Sequence, residues 1–302
     1  MSRIHEALKK AAEERSTKLA ASPSSDLLDV TSDFGRPRVI EPVAAPPARP
    51  EVRSNGISPL SQIEELAKRC THPAWHPDPR TSVFHGGDLQ KIGAERFRTL
   101  RSRLSQIAAT QTLKKVIVTS SIPAEGKTFV AANLANSIVR QRDRRVLLID
   151  ADLRASRLHL VLGAPASPGL TDYLRGEADE SAVIQQGPDG NLFFIPGGAL
   201  VSNPSELLLG DRMKLLLERV APLFDWIILD SPPALPVHDA STLADLCDGV
   251  LFVVRAGQTD WEMAEKASAE FRDKGLLGVV LNGVEKGDSY GTYYYGYPAT
   301  EK

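Results

Sequence analysis

Along the chain, short apolar runs alternate with longer segments whose apolar positions recur every three or four residues. The runs are KKVIVTS, RRVLLID, NLFFIP, DWIILD, GVLFVV and LLGVVLN. They are rich in β-branched residues and almost continuously apolar, the pattern of strands covered on both faces. Strand, helix, strand repeated in this way predicts right-handed crossovers and an α/β fold: a doubly wound, mainly parallel sheet with helices on both sides. Before the first run, the stretch from Leu89 predicts an amphipathic helix. Ile92, Phe97, Leu100, Leu104 and Ile107 are spaced for burial, and Arg96, Arg98, Arg101 and Arg103 fall on other faces.

The pattern weakens toward both ends. Residues 1–20 carry a thin stripe of Ile4, Ala7, Leu8, Ala11 and Ala12, which fits a docking helix or a helical tail without a partner. Between Ala21 and Leu60 there are seven prolines in forty residues, a composition that buries too little surface to offset chain entropy. Residues 21–87 are expected to be mostly disordered linker, interrupted by one short helix candidate, SQIEELAKRC. His72, His76 and His85 follow it, in a spacing that matches no metal knuckle. The globular domain is expected at 88–286, and 287–302 forms a glycine- and tyrosine-rich tail. Of the six tyrosines in 302 residues, five lie in that tail: Tyr290, Tyr293, Tyr294, Tyr295 and Tyr297.

Composition narrows the function classes. A hydrophobic fraction of 42% and a formal net charge of -2 describe a globular chain without a general positive field for nucleic acid. The two cysteines, Cys70 and Cys247, are too few for a disulfide framework or a four-cysteine zinc site and point to reduced thiols in the cytoplasm. No apolar run reaches 18 residues, so the chain is not expected to span a membrane by itself.

The chemistry concentrates after the first strand, in SSIPAEGKTF. A loop between a buried strand and a helix N-terminus turns several free backbone N–H groups toward one point, where the helix dipole also favours an anion. Ala124, Glu125, Gly126, Lys127, Thr128 and Phe129 are therefore expected to cradle a nucleotide's phosphates. Lys127 would reach the terminal phosphates and the Thr128 hydroxyl would ligate Mg²⁺. The strict phosphate-loop pattern begins with glycine, where this chain has Ser121. Asp150, Asp152 and Asp230 end or follow two further strands, and in a doubly wound sheet strand ends of this kind converge on the ligand. Carboxylates beside a triphosphate require a cation between them, so Thr128, Asp150 and Asp230 are expected around Mg²⁺. Lys127, Asp150 and Asp152 are the catalytic candidates, with Asp150 preferred as the base, and Arg154 is a further nucleotide candidate. Asn282, ending the last run, is either a ligand for a purine edge or a turn residue.

These segments, in this order, resemble the bacterial tyrosine kinases (BY-kinases) of capsule and exopolysaccharide systems, the cytoplasmic CpsD/CapB-like type. IPAEGKTFVAANLA is similar to the family's Walker A segment, VLLIDADLR to Walker A′, WIILDSPP to Walker B, and LVSNP with NPSELL to a linking stretch. ERFRTLRSRL is similar to a helix implicated in ring-like self-association, which implicates Glu95, Arg96, Arg98 and Arg101. GDSYGTYYYGY is similar to the C-terminal tyrosine cluster phosphorylated between neighbouring subunits. The N-terminal SRIHEALKKA is similar to autokinases of exosortase-type loci.

The resemblance implies ATP and Mg²⁺ as cofactors, a ring-like homo-oligomer, and a membrane chain-length regulator that recruits and activates the chain at the inner face of the membrane. It also implies a phosphotyrosine phosphatase as counterpart and no nucleic-acid partner. A ParA/MinD-like regulatory ATPase is the alternative from another class. Such proteins carry a second lysine near the start of the phosphate loop, where Ile122 stands here. A scaffold that binds nucleotide without turnover is disfavoured by the intact Lys127, Thr128, Asp150, Asp152 and Asp230.

Overall fold

A computed structural model of the chain describes residues 59–84 and 88–284. The expected N-terminal docking helix, the proline-rich stretch up to residue 58, His85 and the tyrosine tail lie outside the described residues.

All six apolar runs are strands of one seven-stranded sheet: β1 (Lys115–Ser120), β2 (Val146–Asp150), β4 (Leu192–Ile195), β5 (Trp226–Asp230), β6 (Gly249–Arg255) and β7 (Leu276–Asn282). The seventh, β3 (Gln185–Gln186), is two glutamines long, carries no apolar run, and pairs antiparallel with β4. The order is β3-β4-β2-β5-β1-β6-β7, and every other pairing is parallel. Side chains of β2 and β5 are buried along their whole length, which accounts for their unbroken apolar sequence. The edge strand β7 is half-open, with Val279 and Leu281 57% and 58% exposed.

Two hydrophobic layers cover the sheet. One includes Ile117, Leu147, Ile149, Leu229 and Phe252 packed against Leu216, Leu217 and Phe224. The other sets Val116, Val118, Leu148 and Val253 against α2 (Asp88–Ala108) and α3 (Lys127–Val139), through Phe97, Leu104, Leu134 and Ile138. In α2 the expected face is corrected at its start. Ile92 is 52% exposed, because the apolar stripe meets α3 only from Ala94 and Phe97 onward. Arg101, expected on an outer face, sends Nη1 to the carbonyl of Ser137 at 2.6 Å and so ties α2 to α3.

The stretch expected to be linker up to residue 87 packs from residue 61 to 84. In α1 (Pro59–Arg69), Ile63 and Leu66 join the first layer together with Cys70. Thr71 then bridges Gln185 at the β3 edge, and Trp75 enters the second layer, edge-on to Phe194 at 6.0 Å. Four apolar anchors suffice to fasten this segment across the sheet edge, although its proline and histidine content reads as loop. His72 bonds the Ala67 carbonyl at 2.7 Å, and His76 is held by its backbone to Gly163. Each therefore has a structural partner.

Candidate nucleotide site

The loop after β1 is stitched to the loop after β5 before it reaches α3. The Thr119 hydroxyl donates to the Pro232 carbonyl at 3.0 Å, and the amides of Ala234 and Leu235 donate to the carbonyls of Ser120 and Ser121. Within the loop Ala124 has φ 69° and Gly126 has φ 97°, both left-handed. Glycine takes that conformation freely, whereas at Ala124 it costs roughly 1–2 kcal/mol that surrounding contacts must offset. The Cβ absent at Gly126 would collide with Asn282 Nδ2, so glycine is required there by packing as well as by φ.

Lys127 opens α3 and turns its ammonium into a nest of carboxylates. Nζ lies 2.8 Å from Asp152 Oδ2 and 3.9 Å from Asp230 Oδ1. Burial alone would lower its pKa, but Asp230, Asp152 and Asp150 together hold it above the ordinary lysine value. Asp150 and Asp230 are direct neighbours in the β2–β5 register. Both are buried, and they differ in their partners.

Asp150 Oδ2 accepts from the Ser156 hydroxyl at 2.7 Å and the Leu158 amide at 3.0 Å, while Oδ1 accepts from the Asp152 amide at 3.3 Å. Desolvation raises its pKa, and the Ser156 and Leu158 bonds counter part of that rise. Asp230 is 1% exposed, and neither of its oxygens accepts a hydrogen bond. Burial pushes it up to about 7, with Lys127 pulling the other way and Asp150 adding to the rise. The Thr128 hydroxyl is near enough to favour the ionised form of Asp230 without reaching hydrogen-bond geometry.

Two orphaned carboxylate oxygens beside a threonine hydroxyl fit a divalent cation once the Lys127 ammonium, 3.9 Å from Asp230, turns to the phosphates. Among the described residues no group of three or more His, Cys, Asp or Glu side chains is placed to hold a metal alone. A Mg²⁺ ion would therefore take nucleotide oxygens and water for most of its shell, as Mg²⁺ commonly does.

The other expected residues are placed as follows. Glu125 is 2% exposed and faces inward, accepting the Ile122 amide at 2.8 Å. Asn282 donates Nδ2 to the Glu125 carbonyl at 2.9 Å, so it touches the phosphate loop from the end of β7. The Phe129 side chain lies edge-on to Phe97 at 5.9 Å, among α2 and α3, which leaves its backbone as the part facing the loop. Arg154 pairs with Asp239 at 2.8 Å and with the Ser205 hydroxyl at 2.8 Å, and the Asp239 bond raises its pKa further. Glu95 and Arg98 form an exposed ion pair at 2.8 Å, and Arg96 lines a groove between α2 and β7 with Phe97, Val280 and Leu281.

Ser156, Arg255 and Thr259 also touch this site and were not singled out from the sequence. Ser156 follows directly on DADLRA, so the run itself offered that clue. Arg255 and Thr259 carry no local signal, because they reach the loop from 131 and 134 residues away.

Comparison with known proteins identifies the family. A family model described as "AAA domain" matches residues 114–262. The tyrosine-protein kinase YwqD of Bacillus subtilis is 35% identical over 212 residues, covering 68% of this chain and 88% of YwqD. The chain belongs to the bacterial tyrosine-kinase family. Other members are longer: the tyrosine-protein kinase etk of Escherichia coli is 37% identical over 195 residues, which is 64% of this chain but 27% of that protein. The solved kinase domain of that Escherichia coli ETK superimposes with a TM-score of 0.60 at 35% identity, covering 68% of this chain and 80% of the domain. This BY-kinase family chain thus has a P-loop NTPase fold, and its candidate nucleotide site lies at the carboxyl ends of β1, β2 and β5. Among its described residues no helix is long and apolar enough to cross a membrane.

Proposed function

We propose that this chain is an ATP-dependent protein-tyrosine kinase that phosphorylates tyrosines of its own C-terminal cluster, in trans, within a ring-like homo-oligomer. The observation that carries the reading is the pair Asp150 and Asp230: adjacent in register, both buried, and sharing Lys127. One is fully hydrogen-bonded and the other has no hydrogen-bond partner.

Phosphoryl transfer needs an oriented acceptor, a proton sink and stabilised charge. Asp150 is held by Ser156 and Leu158 in one orientation, and its raised pKa makes its carboxylate a stronger base than an exposed one. It would accept the tyrosine hydroxyl proton as the phenolate oxygen bonds the γ-phosphorus and the bond to the β-phosphate oxygen breaks, leaving ADP. Lys127 would leave Asp152 for the phosphates and neutralise charge developing there. The backbone N–H groups from Ala124 to Phe129 would hold the phosphate oxygens. Mg²⁺, when bound by Thr128 and Asp230 beside Asp150, would supply further neutralisation. Arg154 and Asn282 would border the nucleotide.

Tyr290, Tyr293, Tyr294, Tyr295 and Tyr297 would be the acceptors. Each phosphate would add about -1.5 to -2 charges, which the carboxylate-rich mouth repels, so modification would release the tail and loosen the ring. Glu95, Arg96 and Arg98 on α2 would form the subunit contact, whereas Arg101, tied to the Ser137 carbonyl within the chain, would support it from behind. A membrane chain-length regulator would recruit the chain to the inner face of the membrane, a phosphotyrosine phosphatase would reset it, and the cycle would regulate capsule or exopolysaccharide synthesis. The domain limits that go with this reading are a kinase domain to about residue 286 and a tail at 287–302. The test is the intact mass of purified protein incubated with Mg-ATP. Added phosphates that disappear in Lys127→Met are expected, whereas ATP hydrolysis without protein phosphorylation would assign the chain to the nucleotide-gated ATPases instead.

A further inference from the structure

The phosphate loop is gripped from its outer side by residues that no phosphate-loop motif contains. Arg255, the last residue of β6, sends Nη1 to the Ala124 carbonyl at 3.0 Å. The Thr259 hydroxyl donates to Glu125 Oε1 and accepts from the Arg255 amide at 3.0 Å. Glu125 Oε2 in turn receives the Ile122 amide at 2.8 Å. The turn itself is closed, because the Thr259 amide returns to the Arg255 carbonyl at 3.0 Å and the Ala256 amide bonds the Asn282 carbonyl at 2.8 Å. The gripped segment contains the left-handed Ala124, whose conformation a free loop would abandon.

We propose that Thr259 and Arg255 are positioning residues of the nucleotide site, forming with Glu125 a bracket that fixes the phosphate loop in its anion-receiving shape before nucleotide arrives. The chemistry supports this assignment. A buried carboxylate receiving a hydroxyl and an amide is a charge-assisted junction, stronger than bonds between neutral groups. It joins the turn after β6 to the middle of the loop, and the guanidinium of Arg255 caps the carbonyl at the strained residue. The proposal deepens the nucleotide site on which the kinase reading rests and does not depend on transfer to tyrosine.

Thr259→Val keeps the side-chain shape and removes both the donor to Glu125 and the acceptor for the Arg255 amide; Thr259→Ser keeps both. Amide hydrogen exchange in the full-length, nucleotide-free chain is the first readout. In Thr259→Val the Ile122 amide should exchange about tenfold faster, with Leu134 in α3 unchanged and Thr259→Ser close to wild type. ADP affinity, measured by calorimetry, should fall about tenfold in Thr259→Val, adenosine affinity should hold, and Thr259→Ser should restore ADP binding. Arg255→Met, which removes only the cap on Ala124, should give the same pattern at about threefold and serves if Thr259→Val does not fold. Unchanged Ile122 exchange in either variant, or a serine variant no better than valine, would overturn the proposal. Since exchange is read without nucleotide, a chain that shows the bracket but transfers no phosphate fails the kinase reading alone.

Discussion

Asp150 and Asp230 occupy equivalent places at the ends of neighbouring strands, yet their surroundings are opposites. The loop after β2 turns back on Asp150 and gives it a serine hydroxyl and two amides. The loop after β5 turns away, using the Ser231 hydroxyl to grip the Val118 carbonyl, and leaves Asp230 without a donor. A buried carboxylate with three donors is fixed in place; one with none is costly until a cation comes. The difference between two loops thus separates a residue held for orientation from one held in reserve for charge.

Exchange of the two carboxylates for amides should separate their roles most widely. Asp150→Asn removes the proton acceptor and should lower kcat for tail phosphorylation by roughly 10²–10⁴, with nucleotide affinity little changed, as read by initial rates and calorimetry. If Asp150→Asn instead abolished nucleotide binding, the two residues would not differ in kind.

Asp230→Asn should act on the metal side. Wild-type thermal melts should shift upward more with Mg-ATP than with ATP alone, and that difference should vanish in the variant. The nucleotide-free variant should also be the more stable protein at neutral pH. The pKa of Asp230 is raised from 3.8 to about 7 on folding, so the native state binds more protons than the unfolded one between those values. Stability from this group is therefore lost as pH rises through that window. The variant's advantage should be near zero at about pH 4 and full above about pH 7, amounting to at most about 4 kcal/mol in denaturant melts. A constant difference across pH would contradict the assignment.

Ser156→Ala gives the smallest of these effects and sharpens the Asp150 half. Its bond lowers a pKa that burial raises, so losing it should move the acid limb of kcat to higher pH. The fall in kcat at neutral pH should stay within about tenfold, measured by rate against pH. A shift toward acid would break the argument.

Much of this arrangement was legible in the sequence for an identifiable reason. The six long strands announce themselves by their apolar runs, Lys127 follows from the phosphate loop at the start of α3, and Asp150 and Asp230 follow from strand-end placement. The bracket by Arg255 and Thr259 was not legible, since side chains meeting across 131 to 134 residues leave no local pattern. β3 escaped notice because its two glutamines look like loop, and the segment at 61–84 because its prolines and histidines outweigh four buried anchors, Ile63, Leu66, Cys70 and Trp75. Ile92 was misplaced for a simpler cause: periodicity marks a helix face, but not where along the helix a partner begins. The engagement of Asp150 and the isolation of Asp230 likewise depend on how two loops turn, which their shared position at strand ends does not reveal.

The central claim is transfer of the γ-phosphate from the Lys127 site to the tail tyrosines. Peptide mapping after incubation with Mg-ATP tests it most directly, with wild type, Lys127→Met and Asp150→Asn compared at equal ATP. Phosphate on Tyr290, Tyr293, Tyr294, Tyr295 or Tyr297 in the wild type, lost in both variants, is the predicted result. Unmodified tail tyrosines in the wild type, or equal modification in all three proteins, would contradict it.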